Sequence, residues 1–306
     1  MKRFLKSLIF YITLNLAVFS PLLVRAAMSS TSYKIQWDTV GVGGEDTSSS
    51  ASYKVRDSLE FIQGVGTSSS YRVDGGYRGG IYDPVVHFNV VSQDTATQVA
   101  ATSITNTSVD VTTTTGYVAG DYIVVVQNEG LNQVEAMGRV TSVSGSTLNV
   151  DYFQYANSLP AVDSTNDYVY ELTGSSVPLA SLTPYLVSTG VIGWEVDADV
   201  PIGYDVFVRE DHDLKTSGSD VINDVDDGEV TMEIEEYGGR SSDLTLAGST
   251  FDTADTAFTT TFQKVASRSV ATLKARDFLT LKAAAASTTV DGAYSHTLTL
   301  VFVGNY

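Results

Sequence analysis

Apolar and polar positions alternate along most of this chain with a period of two, in short bursts broken by glycine and small polar residues. Such alternation places successive side chains on opposite faces of a strand. Tyr122 to Val126, in "GDYIVVVQ", predicts a strand that follows a tight turn between Gly116 and Gly120. "GRVTSVSGSTLNVDYF" predicts a hairpin around Ser144-Gly145, and "NDYVYELTG" a strand that closes the module. Further on, Gly193 to Asp197 and Tyr204 to Glu210 predict two strands joined through a turn that contains Pro201. "GEVTMEIEEYG", "TFQKVASRSV" and "VATLKARDFLTLKAAAAS" extend the pattern, with the alanine run as the one place where a helix could begin. In the last segment Tyr294, His296, Leu298, Leu300 and Phe302 share one face. The opposite row, which includes Val301 and Val303, is also largely apolar, which predicts a central strand.

The N-terminal third repeats itself. Ser32-Tyr33-Lys34-Ile35 returns as Ser52-Tyr53-Lys54-Val55 and as Ser70-Tyr71-Arg72-Val73, separated by glycine- and serine-rich links. Each copy predicts one strand of a β-meander, tyrosine and aliphatic residue inward and basic residue outward. The expected fold is therefore all-β. It has an N-terminal repeat β-meander over 27–83, a small β-barrel or roll module over 84–172, and a C-terminal Ig-like β-sandwich over 173–306.

Residues 1–26 break this pattern. Lys2, Arg3 and Lys6 precede the apolar run "LIFYITLNLAVF", and Val24-Arg25-Ala26 offers small side chains for signal-peptidase cleavage after Ala26. The apolar run is shorter than a spanning helix needs, and no second long run follows, so the mature chain is expected to be secreted or at the cell surface without a transmembrane segment. Cleavage would remove four of the 18 basic residues and leave 14 against 36 acidic ones, a net charge of −22. Such a field repels nucleic acid. There is no cysteine, so no disulfide supports the fold.

Two stretches carry a resemblance. "SYKI…GGEDTSSSASYKVRDS…GVGTSSSYRVDGGYRGG" and "GWEVDADVPIGYDVFVREDHDL…EEYG" resemble uncharacterised secreted β-rich surface proteins of environmental, candidate-lineage bacteria. The closing "VDGAYSHTLTLVFVGNY" resembles the last strand of WxL-type surface domains and of spore-coat-U-like pilin domains. The chain departs from both families: Trp194 is followed by Glu195-Val196, and the cysteines usual in such pilins are absent. The resemblance implies an extracellular structural role.

The sharpest chemical feature is acidic. Fifteen carboxylates lie between Glu195 and Glu236, against Arg209 and Lys215 alone. Asp211, Asp213, Asp220, Asp224, Asp226 and Asp227 form a candidate calcium loop, because calcium takes six to eight oxygens. An EF-hand centred on Gly228 fails, since Val225 and Ile234 would fall at ligand positions. The alternative is a solvated acidic loop. His87, His212 and His296 show no metal-ligand spacing. Tyr33, Tyr53 and Tyr71 could form a glycan-binding strip or the buried row of a sheet. No nucleophile elbow or phosphate loop is present, so no catalytic residue is assigned. Lys264, Lys274 or Lys282 could in principle join Asn305 covalently.

The expectation is a non-enzymatic extracellular or cell-surface structural or adhesive protein. Lys34, Lys54, Arg56, Arg72 and Arg78 lie in one region of an otherwise acidic chain. They suggest docking of the N-terminal module on the acidic C-terminal domain, either within one chain or head to tail between copies. A glycan- or calcium-binding module is the alternative, and a secreted hydrolase the third reading.

Overall fold

A computed structural model describes residues 48–49, 54–55, 64–67, 72–75 and 86–305. The chain divides into two compact units, Met1–Asp83 and Pro84–Tyr306. In the first, β1 (Ser48–Ser49) pairs antiparallel with β2 (Lys54–Val55), and β3 (Gly64–Thr67) with β4 (Arg72–Gly75). The second and third repeat copies thus contribute Lys54-Val55 and Arg72-Val73 to strands. Tyr33, Tyr53 and Tyr71 lie outside the described residues.

The second unit is all-β among its described residues, and every ladder between its strands is antiparallel. None of the described residues forms a helix long and apolar enough to cross a membrane. It opens with β5 (Val86–Thr105), twenty residues or about 65 Å of continuous strand. Then follow β6 (Ser108–Val111), β7 (Tyr122–Gln127), β8 (Val134–Ser144), β9 (Thr147–Tyr155) and β10 (Tyr168–Gly174). The second half of β5 pairs with β6 on one side and β10 on the other, so β5-β6-β9-β8-β7-β10 closes on itself as a ring. The hairpin between β8 and β9 turns through Gly145, whose φ of 62° lies in the left-handed region. Ile123 and Val125 of β7 point into the ring beside Leu148, Val150 and Phe153. Their neighbours Val124 and Val126 point out of it.

The first half of β5 belongs to a different layer. It pairs with β11 (Ser188–Ala198), which continues through β15 (Thr272–Ala284) to β13 (Glu236–Ser241). A separate three-stranded sheet runs β14 (Gln263–Arg268), β12 (Tyr204–Glu210), β16 (Leu298–Gly304). Trp194 and Val196 of β11, Leu279 and Leu281 of β15, and Val206 and Val208 of β12 share one core, with Leu300 and Phe302 of β16 packed against it. The other face of the β11/β15 sheet meets the outer wall of the ring, where Val191 and Phe278 pack with Val124, Val126, Met137 and Leu172. This sheet is therefore covered on both faces, which is why β11 and the middle of β15 are buried almost without interruption. The layers approach closely at Gly193, where a Cβ would sit 2.7 Å from Met137 Sδ.

Three local expectations are corrected. The final strand β16 is an edge, paired with β12 alone, and Val303 on its outer row is exposed. Two apolar rows therefore do not make a strand central; the outer one here stays partly in solvent. "GEVTMEIEEYG" becomes strand only from Glu236, because residues 228–235 form turns. The alanine run gives no helix: Ala283 and Ala284 end β15 and are fully buried on opposite faces of the sheet, Ala283 in the main core and Ala284 beside Val187, Val225 and Val230. At the other end of the unit, the ring of Phe88 on β5 lies 6.0 Å from that of Phe302 on β16.

Candidate functional site

The structure does not gather the six aspartates of the acidic loop into one site. Asp213 and Asp224 converge with Glu210, their carboxylate oxygens lying within 4.8 Å of one another. Asp226 and Asp227 converge in the same way with Glu236. Asp211 instead accepts a bond from the backbone N–H of Thr297 at 2.8 Å, which ties the end of β12 to the segment before β16, and Asp220 accepts one from Thr216 Oγ1 at 3.2 Å within a local turn. Each trio offers three carboxylates. A calcium ion would need the rest of its oxygens from carbonyls or water.

Glu210 was not singled out from the sequence, although the signal was there. It continues the inward row Tyr204, Val206, Val208 of β12, and an acid in such a row is buried. His296 Nδ1 lies 3.1 Å from its Oε2, and Tyr237 Oη lies 2.9 Å from His296 Nε2. A carboxylate only accepts, so Nδ1–H donates to Glu210, and Nε2 shares a hydrogen bond with the Tyr237 hydroxyl. Burial, with the charges of Glu210 and Asp224, holds the Tyr237 phenol far above its ordinary range, so it stays protonated. Partial desolvation of this otherwise exposed carboxyl, together with Glu210 and Asp213, pushes Asp224 up to about 6.

A second constellation lies where the ring meets the β11/β15 sheet. A cleft of about 490 Å³ opens between the start of β8 with residues 156–158 on one side, and β13, β15 and the loops at 228–229 and 253–255 on the other. Strand alternation sets its floor. Leu279, Leu281 and Ala283 point into the core, while Phe278, Thr280 and Lys282 point the opposite way and line the cleft. Thr280 Oγ1 donates to Glu135 Oε1 at 2.8 Å, and Gln133 Nε2 donates to the same oxygen. Burial raises the Glu135 carboxyl above the usual range, against the pull of these bonds and of Lys282. Lys282 Nζ pairs with Asp255 Oδ2 at 3.0 Å, an oxygen that also accepts the backbone N–H of Val230. Asp255 Oδ1 is buried and has no hydrogen-bond partner. Arg240 Nη2 donates to the carbonyl of Thr253 at 3.0 Å. These residues are dispersed over the sequence from 133 to 282, and no spacing rule joins them.

The seam itself is fastened by charge. Arg276 of β15, fully buried, bonds Glu195 Oε2 of β11 through Nε at 2.7 Å. It reaches Asp151 Oδ1 of β9 through Nη1 at 2.6 Å and stacks over the Tyr152 ring at 4.5 Å. Burial alone would lower the pKa of this guanidinium, but Asp151, Tyr152 and Glu195 raise it. Of the lysines considered for a covalent link, Lys264 is paired with Asp205 and Lys282 with Asp255.

No protein-family model matches the chain, and neither a curated protein nor a solved structure matches it.

Proposed function

We propose that this chain is a non-enzymatic structural or adhesive protein of the cell exterior, exported by its N-terminal leader. The observation that carries the reading is the Arg276 junction with Asp151 and Glu195, which ties the ring to the β11/β15 sheet. Buried charge is costly, and here it is spent on joining layers rather than on a reacting group. Two further buried groups are held in the same way. Arg268 is held by Asp243 and Asp277, and Tyr237 is locked as a neutral phenol in the His296–Glu210 chain. A catalytic acid or base needs a pKa near the working pH and access to substrate. Tyr237 has neither. The resemblance of the closing strand to surface and pilin domains points in the same direction.

Electron microscopy of cells with a labelled antibody to the mature chain tests the reading. Label along a coat or filaments is expected; monomeric protein in the medium with bare cells would overturn it. Head-to-tail docking is tested separately by Lys34, Lys54 and Arg72 all changed to Glu, which should abolish assembly on size-exclusion chromatography with light scattering.

A further inference from the structure

The cleft at the seam has properties that a purely structural role leaves unused. Deep inside, Lys282 pairs with one oxygen of Asp255, and Glu135 accepts from Thr280 and Gln133. Its rim differs. Asn132, Asn157, Ser158 and Glu229 are exposed there, and their side chains make no hydrogen bond among the described residues. Arg240, also on the wall, commits one nitrogen to Thr253. Lone ions of either sign are disfavoured in such a place. A cation would meet Lys282 and Arg240, and an anion would meet Glu135, Glu229 and Asp255.

What fits is a neutral molecule that donates and accepts at many closely spaced points. Vicinal hydroxyls of a sugar ring do this, and a planar amide or guanidinium can engage two of them at once. Leu131 and Ala156, partly exposed at the edge, offer apolar contact for the C–H face of such a ring. The volume of about 490 Å³ falls in the ~300–1,000 Å³ range of small-molecule sites, which favour junctions between packed parts of a fold. We propose that the cleft between β8 and the β13/β15 face is a binding site for a neutral saccharide. The inference rests on the adhesive reading and gives it a ligand class.

Isothermal titration of the purified mature full-length chain with cellohexaose, mannohexaose and chitohexaose tests it, with polygalacturonate as the anionic comparison. At least one neutral hexaose should bind. The pair Asn157→Ala and Arg240→Ala should weaken that binding about ten-fold or more. Asp291→Asn, at an exposed position outside the cleft, should leave it unchanged. Ser158→Trp, a rim substitution that touches no buried charge, should close the mouth and give the same loss even if the double variant folds poorly. Absence of binding to every neutral hexaose, binding to polygalacturonate alone, or full affinity in Ser158→Trp would overturn the proposal. The two readings fail separately: a surface coat that binds no saccharide sinks the cleft, and a soluble monomer that binds one sinks the surface role.

Discussion

Arg276 and Asp151 stand 125 positions apart in the chain, yet their guanidinium and carboxylate meet through two side-by-side bonds at the seam between the ring and the sheet. Such fork-to-fork pairing fixes direction as well as distance. Replacement of Arg276 by Met should cost about 3 kcal/mol, because buried Glu195 would keep only the longer Arg139 contact and the Tyr122 hydroxyl, while Asp151, at the exposed edge, would lose its cation. Urea unfolding measures this. Changing all three residues to apolar ones of similar volume should recover most of the loss; no recovery would mean that the network does more than satisfy its own charges.

A second prediction concerns Gly203, in the turn before β12. Its φ is +80°, and a Cβ there would lie 1.8 Å from the carbonyl oxygen of Arg268. Backbone must move to admit it, so Gly203→Ala should cost about 3 kcal/mol or more. Gly248 has a similar φ of +76° with nothing within 4 Å. Gly248→Ala should therefore cost only about 1–2 kcal/mol, the conformational penalty alone. Equal melting temperatures for the two variants would contradict the contact at Arg268.

The acidic trio predicts a pH dependence. Asp224 is raised from 3.8 to about 6 in the folded chain by partial desolvation and by Glu210 and Asp213. The native state thus holds this proton more tightly than the unfolded one. Stability from this group is full below about pH 4, declines as pH rises, and is gone above about pH 6. Asp224→Asn should raise the melting temperature at pH 7.5 and have little effect at pH 4. Solvent screening at this exposed residue keeps the gain small, on the order of 1–3 °C. A larger gain in acid than at pH 7.5 would reverse the sign and refute the assignment.

Core position should separate two apolar residues that look alike in sequence. Leu279 on β15 is fully buried, whereas Val303 on the outer row of β16 is exposed. Leu279→Ala should cost about 2–5 kcal/mol and Val303→Ala within about 0.5 kcal/mol. Comparable losses in urea unfolding would show that something covers the β16 edge in solution.

Much of the strand pattern was legible because alternation is local. Tyr122 to Val126, the turn at Gly145 and the inward row Leu298, Leu300, Phe302 needed only nearest neighbours to be read. β5 was missed. Its run "VHFNVVSQDTATQVAATSIT" changes partners midway, from β11 to β10 and β6, so neither face keeps one character along its length. The acidic stretch was seen but mispartitioned, since Glu210 and Glu236, which complete the two trios, sit on strands and not in the loop. The cleft was invisible for a different reason. Glu135, Arg240, Asp255 and Lys282 become neighbours only when the ring docks on the sheet, and docking leaves no periodic trace in a sequence.

The contact between Phe88 and Phe302 carries a topological consequence. It sets the beginning of the second unit beside its end, so the path of this unit closes on itself. A unit of this kind can be spliced into another polypeptide, or its ends joined by a brief linker and the chain reopened at Gly145-Ser146, without disturbing a strand pair.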